Sequence, residues 1–370
     1  MDAIWTVILA AATTSGLTTA LAAVLLVAER YLANYGPCRI DVNAGARQIE
    51  VVGGRSLLAS LMQEGVFIPS ACGGRGTCAY CKVRVLDGAG PIGPTEEPLL
   101  TPEDRAANIR IACQCKVRGD LAIEVPPELL AVRAYRGVVE RIRPMTADIR
   151  EVRIALAEPE SIEFVAGQYI QLEAPACGDN PESVYRAYSL SGPPEETSHI
   201  ELIIRLVPGG ICTTWVFERL AEGDEVAFNG PYGEFRLSET DREMIWIAGG
   251  SGMAPFGSMV RHMKAQGLAR PCRFFFGALG QDDLFLQDEL RRMETELEGF
   301  RFIPALSAEP PDSDWSGERG LITDVVDRNV AAGSPAEAYL CGSAGMIDAA
   351  IAVLQAKGIA EDRIFYDKFT

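Results

Sequence analysis

The pattern of apolar and polar positions first sets apart the start of the chain. From residue 4 to residue 28 no charged residue occurs, and this run is long enough to cross a bilayer as a helix. Small residues are spread through it, as is typical of helices that pack against other helices in a membrane. A cleaved signal peptide is the alternative, but the positive N-terminal segment is missing and the run is too long. We therefore predict a retained transmembrane anchor over residues 1–32.

Three different patterns follow the anchor. Between residues 37 and 130, short alternating segments surround one amphipathic run that begins after Ser56, which predicts a small sheet with one capped helix. Residues 134–237 contain alternating segments separated by Gly and Pro turns, which predicts an antiparallel β-barrel. From residue 241 to 370, apolar strands alternate with helical segments, which predicts an α/β domain with a parallel sheet. The fold class is therefore multidomain, with these boundaries.

Charge and composition exclude several functions. The 370 residues carry a formal net charge of −17, and so acidic a chain would be repelled by phosphate, so we predict no nucleic-acid partner. The two histidines, His199 and His262, lie outside metal-binding spacings, which argues against Rieske-type ligation. The ten cysteines do not suggest a disulfide framework, so reduced thiols are expected. Arginines follow the uncharged run and Asp2 precedes it, which favours a cytoplasmic body.

A glycine-rich loop with three cysteines is the first sign of chemistry. Residues 70–81 read Ser-Ala-Cys-Gly-Gly-Arg-Gly-Thr-Cys-Ala-Tyr-Cys, so the spacing of Cys72, Cys78 and Cys81 is C-x5-C-x2-C. Three thiolates here and a fourth downstream are typical of a [2Fe–2S] cluster, which glycine lets the backbone approach. A structural zinc site is the alternative, but zinc ligands usually come as two C-x2-C-like pairs. Spacing alone leaves position 113 or 115 as the fourth ligand.

A second glycine loop opens the third domain. Residues 249–255 read Gly-Gly-Ser-Gly-Met-Ala-Pro and stand between an apolar strand and a helical stretch. This context suits a dinucleotide, because its pyrophosphate can approach backbone N–H groups at a helix N-terminus. The predicted contacts are Gly249, Gly250, Gly252 and Pro255.

Motifs of the second domain resemble the flavin elements of the ferredoxin–NAD(P)H reductase superfamily. They occupy residues 186–190 (Arg-Ala-Tyr-Ser-Leu), 209–215 (Gly-Gly-Ile-Cys-Thr-Thr-Trp) and 230–235 (Gly-Pro-Tyr-Gly-Glu-Phe). An ordinary half-buried strand would be an equal explanation for the first motif alone, but not for the motifs in family order. The resemblance implies FAD, with these contacts: Arg186 on the pyrophosphate, Tyr188 against the ring, Ser189 at the ring nitrogens, and Gly210, Thr213 and Thr214 at the phosphate.

The third domain resembles the same superfamily at its end. Residues 341–346 match an element whose cysteine lies near the nicotinamide, although serine and alanine replace the usual prolines. The resemblance implies that Cys341 and Ser189 lie at the hydride-transfer site and that Gly342 contacts the cofactor. Phe369 matches a terminal aromatic that covers the flavin until nicotinamide displaces it. A buried thiol and a core phenylalanine are the alternatives for Cys341 and Phe369.

The preference between nicotinamide nucleotides is predicted from one segment. Residues 277–283 read Gly-Ala-Leu-Gly-Gln-Asp-Asp and follow the second strand of the nucleotide domain, where superfamily relatives contact the adenosine. An NADPH site would need arginines for the 2′-phosphate. This segment offers acids instead, and Leu279 stands where relatives often have arginine. The segment therefore predicts NADH as the substrate.

The order of anchor, β-grasp ferredoxin-type domain, flavin barrel and nucleotide domain resembles the F subunits of sodium-pumping NADH:quinone reductases over the whole chain. The resemblance includes Ala112-Cys113-Gln114, which implies that Cys113 is the fourth cluster ligand, and Trp315-Ser316-Gly317. The segment before the flavin arginine, residues 174–185, is shorter than in that family. The family implies a single-pass inner-membrane protein with a cytoplasmic body, partner membrane subunits, ubiquinone as the acceptor and sodium transport.

Electron counting connects the three cofactors. NADH donates two electrons as a hydride, whereas a [2Fe–2S] cluster takes one electron at a time. A flavin can accept the hydride and release the two electrons singly. We therefore expect electrons to pass from NADH to FAD, to the cluster and to a membrane acceptor. Two other functions stay open: a membrane-tethered reductase of a di-iron monooxygenase, and a redox-sensing or structural subunit without turnover.

Overall fold

The computed structural model describes Trp5 and residues 13–24, 35–176 and 183–369. Residues 13–24 form helix α1, and apart from Trp5 the rest of the predicted anchor lies outside the described residues. Within these ranges, no helix combines the length and the apolar character needed to cross a membrane. The chain divides into two compact units, the first with residues 1–68 and 74–130 and the second with residues 69–73 and 131–370.

The first unit is a five-stranded mixed sheet with one main helix. Its elements are β1 (Pro37–Val42), β2 (Arg47–Val52), α2 (Leu57–Gln63), β3 (Lys82–Asp87), α3 (Pro102–Ala106), β4 (Ile109–Ile111) and β5 (Leu121–Glu124). The sheet order is β2-β1-β5-β3-β4, with β1 and β5 parallel and the other pairs antiparallel. The predicted small sheet with one helix is therefore confirmed.

Short-range sequence signals explain where these elements form. The alternation along β1 buries Ile40 and Val42 in the core, and each such side chain contributes about 2 kcal/mol when it leaves water. The Ser56 hydroxyl caps α2 by accepting the N–H of Ala59 at 3.2 Å. Strand β4 was not predicted, because it has only three residues. So short a segment does not show a recognisable alternating pattern after the polar residues that precede it.

The barrel is a closed antiparallel sheet. Its elements are β6 (Arg133–Pro144), β7 (Ile149–Glu158), β8 (Tyr169–Ala174), β9 (Val184–Ser189), β10 (His199–Arg205), α4 (Ile211–Glu218) and β11 (Glu225–Tyr232). The strand order is β10-β7-β6-β11-β8-β9, and every neighbouring pair is antiparallel. A bridge between Leu190 and Leu202 joins the two outer strands. The predicted antiparallel barrel is confirmed.

The nucleotide-binding lobe is a parallel sheet between two layers of helices. Its elements are β12 (Met244–Gly249), α5 (Met253–Gln266), β13 (Cys272–Ala278), α6 (Gln287–Glu296), β14 (Phe300–Leu306), β15 (Glu318–Arg319), α7 (Ile322–Asn329), β16 (Glu337–Ser343), α8 (Ala344–Ala356) and β17 (Ile364–Phe369). The order is β15-β14-β13-β12-β16-β17, all parallel. Alternate residues of β12 face opposite cores: Trp246 packs with the core that includes α5 and α6, and Ile247 with the core of α7 and α8. The predicted α/β domain is confirmed.

A partly buried ion network joins the barrel to this lobe. Arg261 on α5 donates to the Glu201 carboxylate of β10 and to the Ser191 carbonyl, both at 2.9 Å. The same guanidinium donates twice to Glu289 of α6, at 2.6 and 2.9 Å. Four hydrogen bonds from this guanidinium therefore link α5 to α6 and to the barrel.

A second buried carboxylate, that of Glu337, fixes the chain where the barrel leads into the lobe. It accepts hydrogen bonds from Thr240 at 2.8 Å, Arg270 at 2.8 Å and Tyr339 at 3.1 Å, and another from Ser238. Burial alone would raise the pKa of this carboxyl, but the hydrogen bonds lower the pKa from 4.5 to about 2. Glu337 therefore remains ionised in the folded protein.

We predict that Glu337→Gln lowers the free energy of unfolding at pH 7 by about 2 kcal/mol, because it removes charge-assisted hydrogen bonds from a buried site. The folded-state pKa is depressed, so the stabilisation is present above pH 4.5 and is lost as the pH falls towards about 2. The difference in melting temperature between variant and wild type should shrink over that window. Calorimetry measures it, with Glu296→Gln as the control, since this exposed partner of Lys264 should change stability by less than about 0.5 kcal/mol. Equal melting temperatures for Glu337→Gln and wild type would contradict the prediction.

Candidate functional site

The predicted dinucleotide loop lies at the turn from β12 into α5. Gly249 ends the strand, Gly250–Gly252 form one short turn, and Pro255 stands in the first turn of α5, where its missing N–H is not needed. Gly250 has φ +56°, in the left-handed region. A Cβ at Gly252 would lie 2.6 Å from the carbonyl carbon of Cys341. The loop therefore needs glycine both for its conformation and for its close approach to β16.

Cys341 and Gly342 lie at the carboxyl end of β16, beside this loop. The register places Cys341 opposite Ala248 of β12 on one side and Asp367 of β17 on the other. Cys341 is fully buried, and burial raises the pKa of its thiol well above the ordinary value. A Cβ at Gly342 would lie 2.7 Å from the Met346 side chain. Cys341 is therefore a neutral thiol at the edge of the nucleotide site.

Ser189 of the barrel meets the lobe at this position. Its hydroxyl lies 3.5 Å from the Oδ2 atom of Asp367, as a long hydrogen bond. Burial raises the pKa of the Asp367 carboxyl, and the bond from Ser189 partly opposes that rise. Asp367 therefore lies beside both predicted residues, within hydrogen-bond distance of Ser189 and opposite Cys341 in the sheet, while the role of Ser189 and Cys341 in hydride transfer stays a prediction. Asp367 was not singled out, although the run Ile364-Phe365-Tyr366 before it, rich in β-formers, could have identified a strand there.

Phe369 is the third residue predicted at the hydride-transfer site. Its backbone is the last position of β17 and pairs with Ser343. A place for its ring over the flavin stays a prediction.

The flavin motif lies along β9. Arg186 is half-buried, and one of its nitrogens donates to the Tyr185 carbonyl at 2.8 Å. Burial raises the pKa of the Tyr188 phenol well above its ordinary range, and the Cys212 thiol beside it contributes to this rise. Burial also raises the pKa of Cys212 to about 11. Tyr188 therefore offers a neutral aromatic ring, as a contact with isoalloxazine requires.

The second flavin motif forms a turn and the start of α4. Gly210 is the N-cap, and the Thr214 N–H makes the first helical bond, to the Gly210 carbonyl at 2.9 Å. The Thr213 hydroxyl accepts the N–H of Val207 and holds the turn closed, so it is engaged within the protein. A Cβ at Gly210 would lie 2.6 Å from that hydroxyl. N–H groups in the first turn of α4 are therefore the donors suited to a phosphate.

Three of the four predicted cluster ligands belong to the first unit. Cys81 and Cys113 lie within hydrogen-bond distance of each other. This hydrogen bond is the largest cause of the raised pKa of the Cys81 thiol, and burial is the second. The Ala112 N–H donates to the Cys81 carbonyl at 2.8 Å and ties the end of β4 to the cysteine loop. Cys78 belongs to the same unit, whereas Cys72 lies in the segment grouped with the second unit.

The residues of the cysteine loop suit a [2Fe–2S] group in their chemistry. The described cysteines are thiols rather than disulfides, and Gly74 and Gly76 have φ values of +86° and +72°. Such glycines let the backbone curve closely around a cofactor. Among the described side chains, no three of His, Cys, Asp or Glu already form a metal-binding group. The ligand set Cys72, Cys78, Cys81 and Cys113 therefore stays a prediction.

Acidic side chains lie just beyond the carboxyl ends of β13 and β14. Gln281 donates to Glu309 at 2.8 Å and to Asp314 at 3.0 Å. Asp283 accepts the Gly280 N–H at 3.0 Å and so closes its own turn. The guanidinium of Arg319 is engaged with backbone carbonyls of residues 309–315. Sequence reasoning identified the acids at 282 and 283 but missed Glu309 and Asp314, which come from the loop after the next strand.

Three family models match successive parts of the chain. Residues 40–118 match the 2Fe-2S iron-sulfur cluster binding domain. Residues 137–237 match the oxidoreductase FAD-binding domain, and residues 246–351 match the oxidoreductase NAD-binding domain. The three matches coincide with the first sheet, the barrel and the parallel-sheet lobe.

Curated relatives match nearly the whole chain. It is 33% identical over 390 residues to the F subunit of the Na(+)-translocating NADH-quinone reductase of Marinomonas sp. (strain MWYL1), with 95% of both chains covered. It is 34% identical over 388 residues to the corresponding F subunit of Pseudomonas paraeruginosa, with 94% of this chain and 95% of the relative covered.

Solved structures share the fold of 90% of the chain. The cytochrome P450 reductase GcoB of Amycolatopsis superposes with a TM-score of 0.73 at 32% identity, and 99% of that chain is covered. The ferredoxin reductase of carbazole 1,9a-dioxygenase gives a TM-score of 0.69 at 27% identity, with 98% of it covered.

We predict that Gly252→Ala weakens nucleotide binding, because the new Cβ would overlap the backbone of Cys341 and push the loop away from it. The KM for NADH should rise at least about tenfold, which corresponds to about 1.4 kcal/mol. Steady-state kinetics with an artificial acceptor measures this change, and the flavin and cluster spectra should stay as in wild type. Gly119→Ala is the control, since a Cβ there meets nothing within 4 Å. An unchanged KM in Gly252→Ala would show that the close approach is not needed.

Proposed function

Since the chain belongs to the family of F subunits of Na(+)-translocating NADH-quinone reductases, we propose that it is the electron-input subunit of such a complex. It is an NADH oxidoreductase that passes electrons from NADH through FAD to a [2Fe–2S] cluster and onward to a membrane acceptor. The observation that carries this function is the presence of cluster, FAD and NAD domains in one chain that matches the family over 95% of its length.

The hydride-transfer site is built by residues from the barrel and the lobe. The Gly249–Gly252 loop and the start of α5 bind the pyrophosphate of NADH through backbone N–H groups. Cys341 stays a neutral thiol, so it places no negative charge beside the incoming hydride. Asp367 accepts a hydrogen bond from the Ser189 hydroxyl and so restricts the orientation of that hydroxyl. Bound FAD supplies the change from two-electron to one-electron transfer, which no side chain supplies.

The far end of the electron path is assigned to the cysteine loop. Cys72, Cys78, Cys81 and Cys113 would hold the cluster as thiolates, and the loop glycines would let the backbone approach it closely. The uncharged run over residues 4–28 anchors the protein in the inner membrane as a single span, with the body in the cytoplasm. Its partners are NADH, the lipid bilayer and the other membrane subunits of the complex.

Selection of NADH over NADPH is assigned to Glu309 and Asp314 together. Their carboxylates share the Gln281 amide beyond the ends of β13 and β14, where a nucleotide bound to a parallel sheet places its adenosine. A 2′-phosphate there would face negative charge. The neighbouring Arg319 is already engaged with backbone carbonyls.

A second function is supported by the solved structures. The P450 reductase GcoB shares the fold of 90% of this chain and is itself covered over 99% of its length. A reductase that serves an oxygenase would use the same three domains. Purification of the anchored chain from membranes in mild detergent separates the two functions: multi-span partners with quinone-dependent NADH oxidation support the quinone reductase, and a soluble oxygenase partner supports the alternative.

We predict that anaerobic addition of NADH to the full-length protein bleaches the flavin first and the cluster second, because only the flavin accepts a hydride. Stopped-flow absorption spectroscopy measures the two phases. In Cys113→Ser the flavin phase should remain at the wild-type rate while the cluster phase is altered or lost. Cys115→Ser is the matched control and should retain both phases. A wild-type protein whose flavin and cluster do not respond to NADH would overturn the enzymatic function.

We also predict that Glu309→Gln raises kcat/KM for NADPH about fivefold, since one unit charge about 4 Å away contributes about 1 kcal/mol in water. The value for NADH should change much less. The control is Glu298→Gln, which changes net charge equally but lies in the exposed turn before β14, at the other end of the sheet. If both variants raise NADPH turnover alike, net charge rather than Glu309 determines the preference.

A further inference from the structure

The side chain of Gln114 lies between the cysteine loop and the sulfur of Cys113. Its Nε2 atom is 3.4 Å from the Cys113 Sγ atom and 3.5 Å from the Gly74 carbonyl oxygen. An amide nitrogen has two hydrogens, so one can donate to each acceptor. All of these residues belong to the first unit, and Gln114 is only partly exposed.

The backbone holds Gln114 in this place. Its N–H donates to the Ile111 carbonyl at 2.8 Å, and the Cys115 N–H donates to the same carbonyl at 2.9 Å, so a tight turn directly follows β4. Gly76 leaves the room for the amide, because a Cβ there would lie 2.7 Å from the Gln114 Cδ atom. Position 76 therefore requires glycine for two reasons. It leaves space for the Gln114 side chain, and its own φ of +72° is left-handed.

A hydrogen bond to a ligand sulfur changes the energy of cluster reduction. Reduction adds negative charge that is partly carried by the ligating thiolates, so an N–H donor stabilises the reduced cluster more than the oxidised one. Gln114 does this as a neutral group, within a chain whose net charge of −17 opposes the addition of an electron.

We propose that Gln114 is a positioning residue that raises the reduction potential of the cluster by donating its side-chain N–H to Cys113. This inference rests on the assignment of Cys113 as a ligand in the proposed function. Removal of the donor should shift the midpoint potential of the cluster to a more negative value, and the flavin potential should stay as in wild type.

The test compares Gln114→Leu with wild type in the full-length protein. Anaerobic potentiometric titration followed by electron paramagnetic resonance measures the cluster midpoint, and visible absorption measures cluster content. Gln48→Leu, the same change at an exposed position of β2 in the same unit, is the control and should leave the midpoint unchanged. A cluster of full occupancy in Gln114→Leu with the wild-type midpoint would overturn the proposal.

A second measurement decides the matter if Gln114→Leu fails to hold its cluster. Pulsed electron paramagnetic resonance of the reduced wild-type protein, with ¹⁵N in the glutamine side-chain amides, should show a nitrogen coupling that Gln48→Leu retains. Absence of that coupling overturns the proposal. The assignment of Cys113 as a cluster ligand is tested separately from the role of Gln114. It is wrong if Cys113→Ser leaves the cluster spectrum unchanged.

Discussion

The partly buried guanidinium of Arg261 fixes the barrel against the nucleotide-binding lobe, and the chemistry of the protein depends on that attachment. Hydride transfer requires reacting atoms about 3–3.5 Å apart, so the flavin and nicotinamide sites must keep one relative position. Arg261 bonds to Ser191 only two residues beyond Ser189, and it lies on the helix that the Gly249–Gly252 loop begins. The same helix therefore carries the nucleotide loop at its start and the attachment to the flavin barrel in its body.

Local patterns predicted most of the fold. The strand-turn-helix around Gly249, the alternating barrel strands and the capped helix after Ser56 all depend on residues close in sequence. The network of Arg261 could not be predicted in this way, because its carboxylate partners lie 60 residues before it and 28 residues after it. Asp367 was missed for a related reason: its proximity to Ser189 arises only when β17 pairs beside β16.

The cluster region shows a different limit of sequence reasoning. The spacing of the cysteines predicts a metal centre, and the family resemblance selects one thiol of the pair at 113 and 115, yet neither predicts the direction of a neighbouring side chain. Gln114 faces the Cys113 sulfur because of the turn after β4 and the space above Gly76. A polar residue next to a ligand therefore gains its role from backbone geometry that no residue-type pattern records.

Strand β17 lies at the edge of its sheet and pairs with β16 alone, although it supplies Asp367 to the site. An edge strand of six residues opens locally more easily than the central strands. Amide hydrogens of β17 should accordingly exchange faster than those of β12. Local opening of this one strand would carry Asp367 away from Ser189 while the central strands stay paired, so the site can lose a residue without unfolding of the lobe.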